Sequence, residues 1–335
     1  MKLAFIHHQL ALSGGMETYF LELIKTATQA GHAIDVFVMK QDPKIILPDE
    51  VQVHVIPSRI YPRFLRKYHF ALKLKKRLLS RHYDTVISTT RSFSQDILIT
   101  GGTHRGYMRA LGRHTLADYL ESYLESKAYH RAKKIIAHSP ALQSELIDLY
   151  GISPEKITML YPPVDVRAFQ YQKKNPTSQP LRLLFASTSH KRKGGFLLLD
   201  ALKKLPPEDF ELTVVGKPFK QARQMPQVKC LGYVKNITDY YHQADWLVLP
   251  SYFEPFGLVV VQALECGTPV ILSKQVGAAA LLGPDEGLIL ENQNACALAQ
   301  CLQDAKKKQC SIQPGFAVRH GLTLEAHFEA VLACH

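Results

Sequence analysis

Short apolar runs alternate with amphipathic segments along most of the chain. Near the amino terminus, the apolar runs KLAFIHH and AIDVFVMK flank METYFLELIKTATQAGH, in which apolar residues recur at helical spacing. Two strands joined through a helix are parallel, so this unit predicts a parallel sheet with a βαβ connection. YDTVIST, DILIT and KKIIAHS are interpreted as further strands, and PALQSELIDLYG as a helix that begins after Ser139 and ends at Gly151.

A second series of the same kind follows a break at residues 160–180, which are rich in proline and polar residues. LRLLFAS, FELTVVG, VKCLGY, DWLVLPS and PVIL are predicted strands, with helices in GGFLLLDALKKL, ITDYYHQA and TLEAHFEAVLACH. We therefore predict an α/β protein of two Rossmann-like domains, residues 1–163 and 164–335, with a cleft between them. Whether the last helix stays with the second domain or packs back on the first is left open.

Composition adds few constraints to this picture. The chain has 335 residues, 46% of them hydrophobic, and its 41 Lys and Arg against 29 Asp and Glu give a net charge of +12. Such a charge is typical of a solvated basic surface, but also of proteins that bind nucleic acid, anionic lipid or a phosphorylated substrate. No apolar run is long enough for a membrane span or a signal peptide, and the six cysteines lack metal spacing. We therefore expect a cytoplasmic protein with reduced thiols.

The stretch EPFGLVVVQALECGTPVIL combines a loop at a strand end with a mostly apolar helix. We predict that this helix runs from Leu258 to Cys266 and that its first amides, with the positive end of the helix dipole, bind a phosphate or hydroxyl oxygens. Gly257 lets a ligand approach the backbone closely. Glu254 lies just ahead of the helix and Gln262 one turn into it, so the two side chains can hold two ends of one polar ligand. The alternative is an ordinary loop in which Glu254 only caps the helix.

PSYFEPFGLVVVQALECGTPVIL resembles the signature of the family 4 retaining glycosyltransferases, whose GT-B fold consists of two facing Rossmann-like domains. The family usually has Glu, seven residues, then a second Glu; Glu254 matches the first, and Gln262 stands where the second belongs. LALSGGMETYFLEL, HKRKGGFLLLDAL, CLGYV and YPPVDVRAF are similar to the family's Gly-Gly loop, Arg/Lys-Lys-Gly element, base-facing loop and interdomain segment. Within the family, the chain most resembles the heptose glucosyltransferases of lipopolysaccharide core synthesis, in its segment TGGTHRGYM and in its length.

The resemblance implies transfer of a sugar from a nucleotide diphosphate sugar to an acceptor hydroxyl, with retention of the anomeric configuration. Arg192 and Lys193 would then balance the charge of the diphosphate, so neither a metal ion nor another cofactor is expected. Because an amide accepts fewer hydrogen bonds than a carboxylate, Gln262 implies altered ribose binding. The residues assigned by the resemblance are, for catalysis, Glu254 and His104 and, for donor binding, Gly14, Gly15, Arg192, Lys193, Tyr233, Phe256, Gly257, Leu258 and Gln262.

The loop around His104 follows the predicted strand DILIT. The resemblance places His104 in contact with the donor sugar, although a lone histidine is more often structural. Gly101 or Thr103 stands where some relatives carry an aspartate, so no carboxylate is expected beside it and no general base is assigned. A same-face mechanism, in which the leaving phosphate oxygen takes the acceptor proton, needs none.

The sequence also gives expectations for two further pairs of residues. Gly14 and Gly15 either form a loop that approaches the diphosphate or the acceptor, or serve turn geometry alone. Glu265 and Lys274 flank the central motif and are expected to contact only solvent.

The segment RIYPRFLRKYHFALKLKKRLLSR, residues 59–81, contains nine Lys or Arg and no acid, with apolar residues interleaved. This pattern is typical of a helix on an anionic membrane surface, and the alternative is a solvated helix packed on the sheet by its leucines. Arg105, Arg109 and Arg113 add cations on the expected acceptor side. The residues predicted to contact an acceptor or a membrane are Arg63, Arg66, Lys67, Lys73, Arg105 and Arg109.

The sequence as a whole predicts a retaining glycosyltransferase that moves a hexose from UDP-glucose or a similar donor to lipopolysaccharide core or another cell-surface glycan. Its expected partners are the donor, a glycolipid or glycan acceptor and the anionic inner face of the membrane. No nucleic acid is expected, since no nucleic-acid motif accompanies the charge. A catalytically silent GT-B module that binds a glycan or a partner is the alternative, motivated by Gln262. The sequence leaves the donor sugar, base, exact acceptor and oligomeric state undetermined.

Overall fold

The computed structural model describes residues 1–11, 14–58, 62, 65–112, 115–174 and 180–334. The chain divides into two compact units, the first formed by Met1–Pro163 with Leu324–His335 and the second by Val164–Thr323. The last helix of the chain therefore belongs to the first unit. Within the described ranges, no helix is both long enough and apolar enough to cross a bilayer.

The first unit is built around a parallel sheet with the strand order β5-β3-β1-β6-β7-β8-β9, beside a small ladder of β2 and β4. Its strands are β1 (Lys2–Ile6), β2 (Gln9–Leu10), β3 (Ala33–Val38), β4 (Lys40–Gln41), β5 (Val51–Val55), β6 (Thr85–Ser88), β7 (Ile97–Thr100), β8 (Lys134–Ala137) and β9 (Ile157–Met159). Its helices are α1 (Gly15–Gln29), α2 (Arg66–Leu79), α3 (His104–Leu111), α4 (Leu116–Arg131), α5 (Pro140–Tyr150), the short 3₁₀ helix Pro154–Lys156 and α11 (Leu324–Leu332).

The core of this unit follows from two periodicities in the sequence. In α1, Phe20, Leu23, Ile24 and Ala27 are buried at spacings of three and four residues, so one face of the helix packs on the sheet. Strand β1 is buried from Leu3 onward, as expected for a parallel sheet covered on both faces.

The second unit contains a parallel sheet with the strand order β12-β11-β10-β13-β14-β15. Its strands are β10 (Leu181–Ser187), β11 (Phe210–Gly216), β12 (Val228–Gly232), β13 (Trp246–Leu249), β14 (Val270–Ser273) and β15 (Gly287–Leu290). Its α-helices are α6 (Gly195–Leu202), α7 (Thr238–Gln243), α8 (Leu258–Glu265), α9 (Ala295–Lys307) and α10 (Phe316–Arg319), with 3₁₀ helices at Pro207–Asp209, Lys220–Gln224 and Gly277–Leu281.

In both sheets the strand order reverses beside the first strand. Strand β1 lies between β3 and β6, and β10 lies between β11 and β13. At such a point the connections leave in opposite directions, and the diverging loops leave room for a ligand beyond the carboxyl ends of the strands. The residues that follow β1, β6, β10 and β13 are therefore the candidates for ligand contact.

Helix α11 packs on α1 through a buried group of polar rings. The Tyr19 hydroxyl lies 2.7 Å from Nε2 of His327, and Nδ1 of His327 donates to the carbonyl of Tyr161 at 2.9 Å. The His138 ring lies edge-on against Tyr19 and next to His327. Burial lowers the pKa of His327 to about 4 and the pKa of His138 to about 3. Both rings are therefore neutral at neutral pH.

These depressed pKa values predict that acid destabilises the first unit. An exposed histidine has a pKa of 6.5, so between about pH 4 and pH 6.5 the unfolded chain binds more protons than the folded chain. The free energy of unfolding therefore falls as the pH drops through this window, by about 2 kcal/mol per histidine between pH 7 and pH 5. Urea denaturation followed by circular dichroism measures this free energy of unfolding. Tryptophan fluorescence does not, because the single tryptophan, Trp246, lies in the second unit.

The matched variants are His327→Gln and His130→Gln, the latter at an exposed position. His327→Gln should reduce the difference in unfolding free energy between pH 7 and pH 5, whereas His130→Gln should leave it unchanged. An identical pH dependence in all three proteins would contradict the assignment.

Candidate active site

Two loops of the second unit meet where the strand order of its sheet reverses. One follows β10 and contains residues 188–194, and the other follows β13 and contains residues 250–257. The backbone amide of Tyr252 donates to the carbonyl of Arg192 at 2.9 Å, which ties the two loops together. The central motif and the Arg/Lys-Lys-Gly element, far apart in the sequence, are thus neighbours.

Two glycines make this contact sterically feasible. Gly194 has φ +75°, and a Cβ there would lie 2.0 Å from the carbonyl oxygen of Pro250 on the facing loop. Gly257 has φ +92°, in the left-handed region that favours glycine. These residues precede α6 and α8, and neither helix has a side-chain hydrogen bond capping its start. In the first turn of α8 the amide of Val260 donates to the carbonyl of Gly257 at 2.8 Å, and the amides of Leu258 and Val259 are the candidates for ligand binding.

Glu254 lies between the two predicted cations. Its Oε2 is 3.1 Å from Nη1 of Arg192 and 3.4 Å from Nζ of Lys193. All three side chains are largely buried, with exposed fractions of 12%, 21% and 11%. Because Glu254 pairs with these cations and does not cap α8, the alternative in which it only caps the helix is wrong.

The backbone around this group is held in place from both sides. The amide of Glu254 donates to the carbonyl of Gln275, and the amide of Gly277 donates to the carbonyl of Glu254 at 3.0 Å. Nη1 of Arg192 also donates to the carbonyl of Phe253 at 2.8 Å. Two cations against one carboxylate leave a net positive charge in a partly desolvated setting, which favours an anionic ligand.

The other predicted donor contacts in this unit are spread around the same sheet edge. Phe256 is buried, and Gln262 is half-buried on the second turn of α8. The Tyr241 hydroxyl donates to Oε1 of Gln262 at 2.9 Å, a contact that the sequence did not reveal. Tyr233 is 73% exposed and follows β12, two strands away from β10, so the structure does not bring it to the Glu254 group.

Gly14 and Gly15 lie in the first unit, where α1 begins. Gly14 has φ −177°, an extended conformation open to any residue, and no side-chain hydrogen bond caps α1. The backbone conformation therefore does not require glycine at this position, but a Cβ there would lie 2.8 Å from Oε2 of Glu17. Residues 12 and 13 of this loop lie outside the described ranges.

His104 is the first residue of α3, and Thr103 caps this helix by accepting from the amide of Gly106. Nε2 of His104 lies 3.0 Å from Oδ1 of Asp118 at the start of α4, and the backbone amide of His104 donates to Glu125 at 2.7 Å. The expectation that no carboxylate lies beside His104 is therefore wrong. Asp118 comes from a different helix, and no local sequence signal links it to the loop.

Sequence reasoning also missed the residues at the strand-order reversal of the first unit. His8 follows β1 and Thr90 follows β6, and the Thr90 hydroxyl lies 2.7 Å from Nδ1 of His8. His7 makes the equivalent contact with Thr89, at 2.8 Å. The adjacent pairs His-His and Thr-Thr, each directly after an apolar run, were the available signal.

Several predicted acceptor cations make contacts within the first unit. Lys67 pairs with Glu121 at 2.7 Å, and Arg105 donates to the carbonyl of Leu149 and lies over the ring of Tyr150. The guanidinium of Arg105 thus has partners within the fold, and its assignment as an acceptor contact stays a prediction.

The remaining predicted cations are placed differently. Lys73 and Arg109 are exposed, and Arg66 is half-buried at the start of α2. Arg63 and Arg113 lie outside the described residues. Among the predicted cations that the structure describes, Lys73 and Arg109 are thus the two on the surface.

Glu265 also departs from expectation. It is buried, and its Oε2 accepts from the amide of Ala317 at 2.8 Å, near the start of α10. The prediction of solvent contact is wrong for Glu265. Lys274 forms a largely exposed ion pair with Glu291.

The part of the chain that the structure describes contains no candidate metal site of three or more ligands. There, no group of three or more His, Cys, Asp or Glu side chains is placed to hold an ion. Each of the six cysteines carries a free thiol.

Comparison with known proteins places the chain among enzymes of one broad kind. A family model described as Glycosyltransferase Family 4 matches residues 13–168, and one described as Glycosyl transferases group 1 matches residues 166–313. Over 315 residues the chain is 32% identical to a probable transglycosylase of Burkholderia thailandensis, covering 89% of this chain and 85% of that protein.

Solved structures support the fold. WaaG, a glycosyltransferase involved in lipopolysaccharide biosynthesis, is similar with a TM-score of 0.82 and 20% identity, covering 99% of this chain and 98% of that one. Anabaena HepE in complex with UDP-glucose is similar with a TM-score of 0.75 and 19% identity, covering 99% and 98%. The GT-B fold class predicted from the sequence is confirmed.

Proposed function

The chain belongs to the family 4 glycosyltransferases, and on this premise we propose that it is a retaining, metal-independent transferase that uses a nucleoside diphosphate sugar. The observation that carries the proposal is the convergence of Glu254, Arg192 and Lys193 at the strand-order reversal of the second unit. This group combines an acceptor for sugar hydroxyls with donors for a diphosphate.

The cations serve the leaving group. As the glycosidic bond breaks, negative charge grows on the departing diphosphate, and donors already oriented toward that charge lower the barrier most. Arg192, Lys193 and the uncapped amides of α8 are held in place before any ligand arrives. They balance the diphosphate charge without a metal ion.

Glu254 holds the transferred sugar. Its carboxylate accepts hydrogen bonds from sugar hydroxyls once the diphosphate has taken over the two cations. In the first unit, His104, whose Nε2 lies 3.0 Å from Oδ1 of Asp118, is proposed to contact a sugar hydroxyl. Retention follows if the acceptor attacks from the face that the diphosphate leaves and passes its proton to a phosphate oxygen. We propose glucose as the sugar and uridine as the base, a choice that the likeness to HepE with UDP-glucose supports.

The acceptor is proposed to be lipopolysaccharide core or another cell-surface glycan. The likeness to WaaG, described as involved in lipopolysaccharide biosynthesis, supports this choice. In the first unit, the loops after β1 and β6 supply His8 and Thr90 at the place where such sheets bind ligands.

A donor screen tests the enzymatic proposal. Purified protein is incubated in EDTA with UDP-glucose, UDP-galactose, UDP-N-acetylglucosamine, GDP-mannose and ADP-heptose, with delipidated lipopolysaccharide core as acceptor. We expect a rise in melting temperature and sugar transfer with UDP-glucose, and an α-linked product by NMR. Donor binding without transfer to any acceptor would favour the silent module, and an inverted product would contradict the mechanism.

We also propose that the enzyme binds the inner face of the membrane through α2. Phe70, Leu74 and Leu78 are buried in the first unit, while Leu72 is 43% and Leu79 is 78% exposed. Helical geometry places Lys75 and Lys76 on the same outward face as Leu72 and Leu79. An exposed face that joins leucines and lysines suits an anionic lipid surface.

Vesicle sedimentation at low and at physiological salt checks this expectation. Replacing both Lys75 and Lys76 by Gln should weaken binding to vesicles containing phosphatidylglycerol by about thirtyfold at low salt, because each cation near the surface contributes about 1 kcal/mol. The matched control changes Lys203 and Lys204 to Gln, which removes the same charge from the second unit. Equal binding of both variants would show that net charge alone, and not α2, attracts the membrane.

A further inference from the structure

The hydrogen bond between Tyr241 and Gln262 fixes which end of an amide points toward the proposed donor site. The Tyr241 hydroxyl donates to Oε1 of Gln262 at 2.9 Å. Tyr241 is 0% exposed, and burial holds its pKa well above 10, so the hydroxyl is a proton donor across the physiological range. A buried phenol needs an acceptor, and Gln262 supplies it.

Tyr241 itself is firmly held near the end of α7. Its carbonyl accepts from Nζ of Lys174 and from Oγ1 of Thr268, each at 2.6 Å. Nζ of Lys174 also donates to the carbonyls of His242 and Ala244. With the backbone fixed by these contacts and the ring enclosed, the phenol oxygen stays in one position.

The consequence concerns the two ends of the Gln262 side chain. A primary amide has one oxygen and one NH₂ group, and they point in directions about 120° apart. With Oε1 engaged by Tyr241, Nε2 is the end directed away from the phenol. Gln262 is half-buried between the buried Val261 and Ala263, so its amide retains access to the surface that α8 presents. That surface begins at the uncapped first turn of α8.

We propose that Tyr241 is a positioning residue that makes Gln262 a hydrogen-bond donor to the nucleotide. The inference rests on the proposed function and on the placement of the ribose at Gln262 that the family resemblance implies. Nε2 then donates to a ribose hydroxyl oxygen. A carboxylate at this position can only accept a hydrogen bond, so it needs the hydrogen of the ribose hydroxyl. The NH₂ group of the oriented amide donates, so it needs only an acceptor atom on the ribose.

Fluorinated nucleotides distinguish the two arrangements. Fluorine in place of a ribose hydroxyl has no hydrogen to donate, but it tolerates a facing N–H. The test is isothermal titration with UDP and with its 2′-fluoro and 3′-fluoro analogues. For wild type, both analogues should bind within about threefold of UDP. For Gln262→Glu, one analogue should bind at least about tenfold more weakly than UDP, because a carboxylate then faces fluorine.

Tyr241→Phe tests the positioning role directly. Without the phenol hydroxyl, the amide is free to turn Oε1 toward the ribose. The affinity for the fluoro analogues relative to that for UDP should then fall several-fold compared with wild type. Tyr240→Phe, on the same helix, is the matched control and should keep the wild-type ratio. A merely structural role of Tyr241 would weaken all three ligands equally.

The outcomes separate the inference from the proposed function. An unchanged ratio in Tyr241→Phe or in Gln262→Glu, with UDP still bound, would overturn the inference alone. Failure of wild type to bind UDP or either analogue would overturn the proposed function for this donor, and the inference with it. Melting temperatures of the variants confirm that each one is folded.

Discussion

Replacing Glu254 by Gln should lower kcat/KM for sugar transfer by about two to three orders of magnitude. Glu254 is the acceptor between Arg192 and Lys193, and in the proposed mechanism it binds hydroxyls of the transferred sugar. Loss of a charge-assisted hydrogen bond made in the transition state has a cost of this size. Steady-state kinetics with UDP-glucose measures the effect.

The Glu254→Gln variant should also separate binding from chemistry. Because the carboxylate competes with the diphosphate for the two cations, the variant should bind UDP at least as tightly as wild type. Glu291→Gln, which removes an exposed partner of Lys274, is the matched control and should be fully active. Parallel losses of UDP affinity and transfer in Glu254→Gln would show that the residue acts mainly on the fold or on the nucleotide.

Replacing Arg192 and Lys193 together by Met should lower both kcat for transfer and the affinity for UDP by more than about a hundredfold. Each cation is largely buried beside Glu254, and together they carry the charge that the diphosphate needs. We expect a loss of at least about a hundredfold in kcat for each single variant. The double variant should show less than the product of the two losses, because the cations share one partner.

Lys191→Met is the matched control for these variants. Lys191 is exposed and adjacent in sequence, so it tests whether general positive charge in the loop is sufficient. Wild-type kinetics for Lys191→Met with large losses at 192 and 193 would agree with a defined diphosphate site. Comparable losses at all three positions would point to general electrostatic attraction instead.

The parts of this structure that are local in sequence could be predicted. The βαβ periodicity, the glycine before α8 and the cation pair before α6 are each contained in a short stretch of chain, and each lies where expected. Hydrophobic period and turn chemistry act over a few residues, so one sequence reveals them.

The contacts that the sequence did not reveal depend on partners distant in the chain. Asp118 reaches His104 from another helix, and Tyr241 reaches Gln262 across 21 residues. Arg105 was expected to meet a substrate, yet the carbonyl of Leu149 and a tyrosine ring occupy its guanidinium. A cation has the same appearance in the sequence whether its partner is a substrate or another helix of the fold.

Titration of the protein with UDP, UMP and uridine in the presence of EDTA most directly tests the claim that Arg192, Lys193 and the first amides of α8 bind a diphosphate. The account predicts that UDP binds at least about a hundredfold more tightly than uridine, with UMP between them, and that the Arg192→Met/Lys193→Met variant loses this difference. Equal affinities of wild type for UDP and uridine, or an unchanged difference in the double variant, would contradict it.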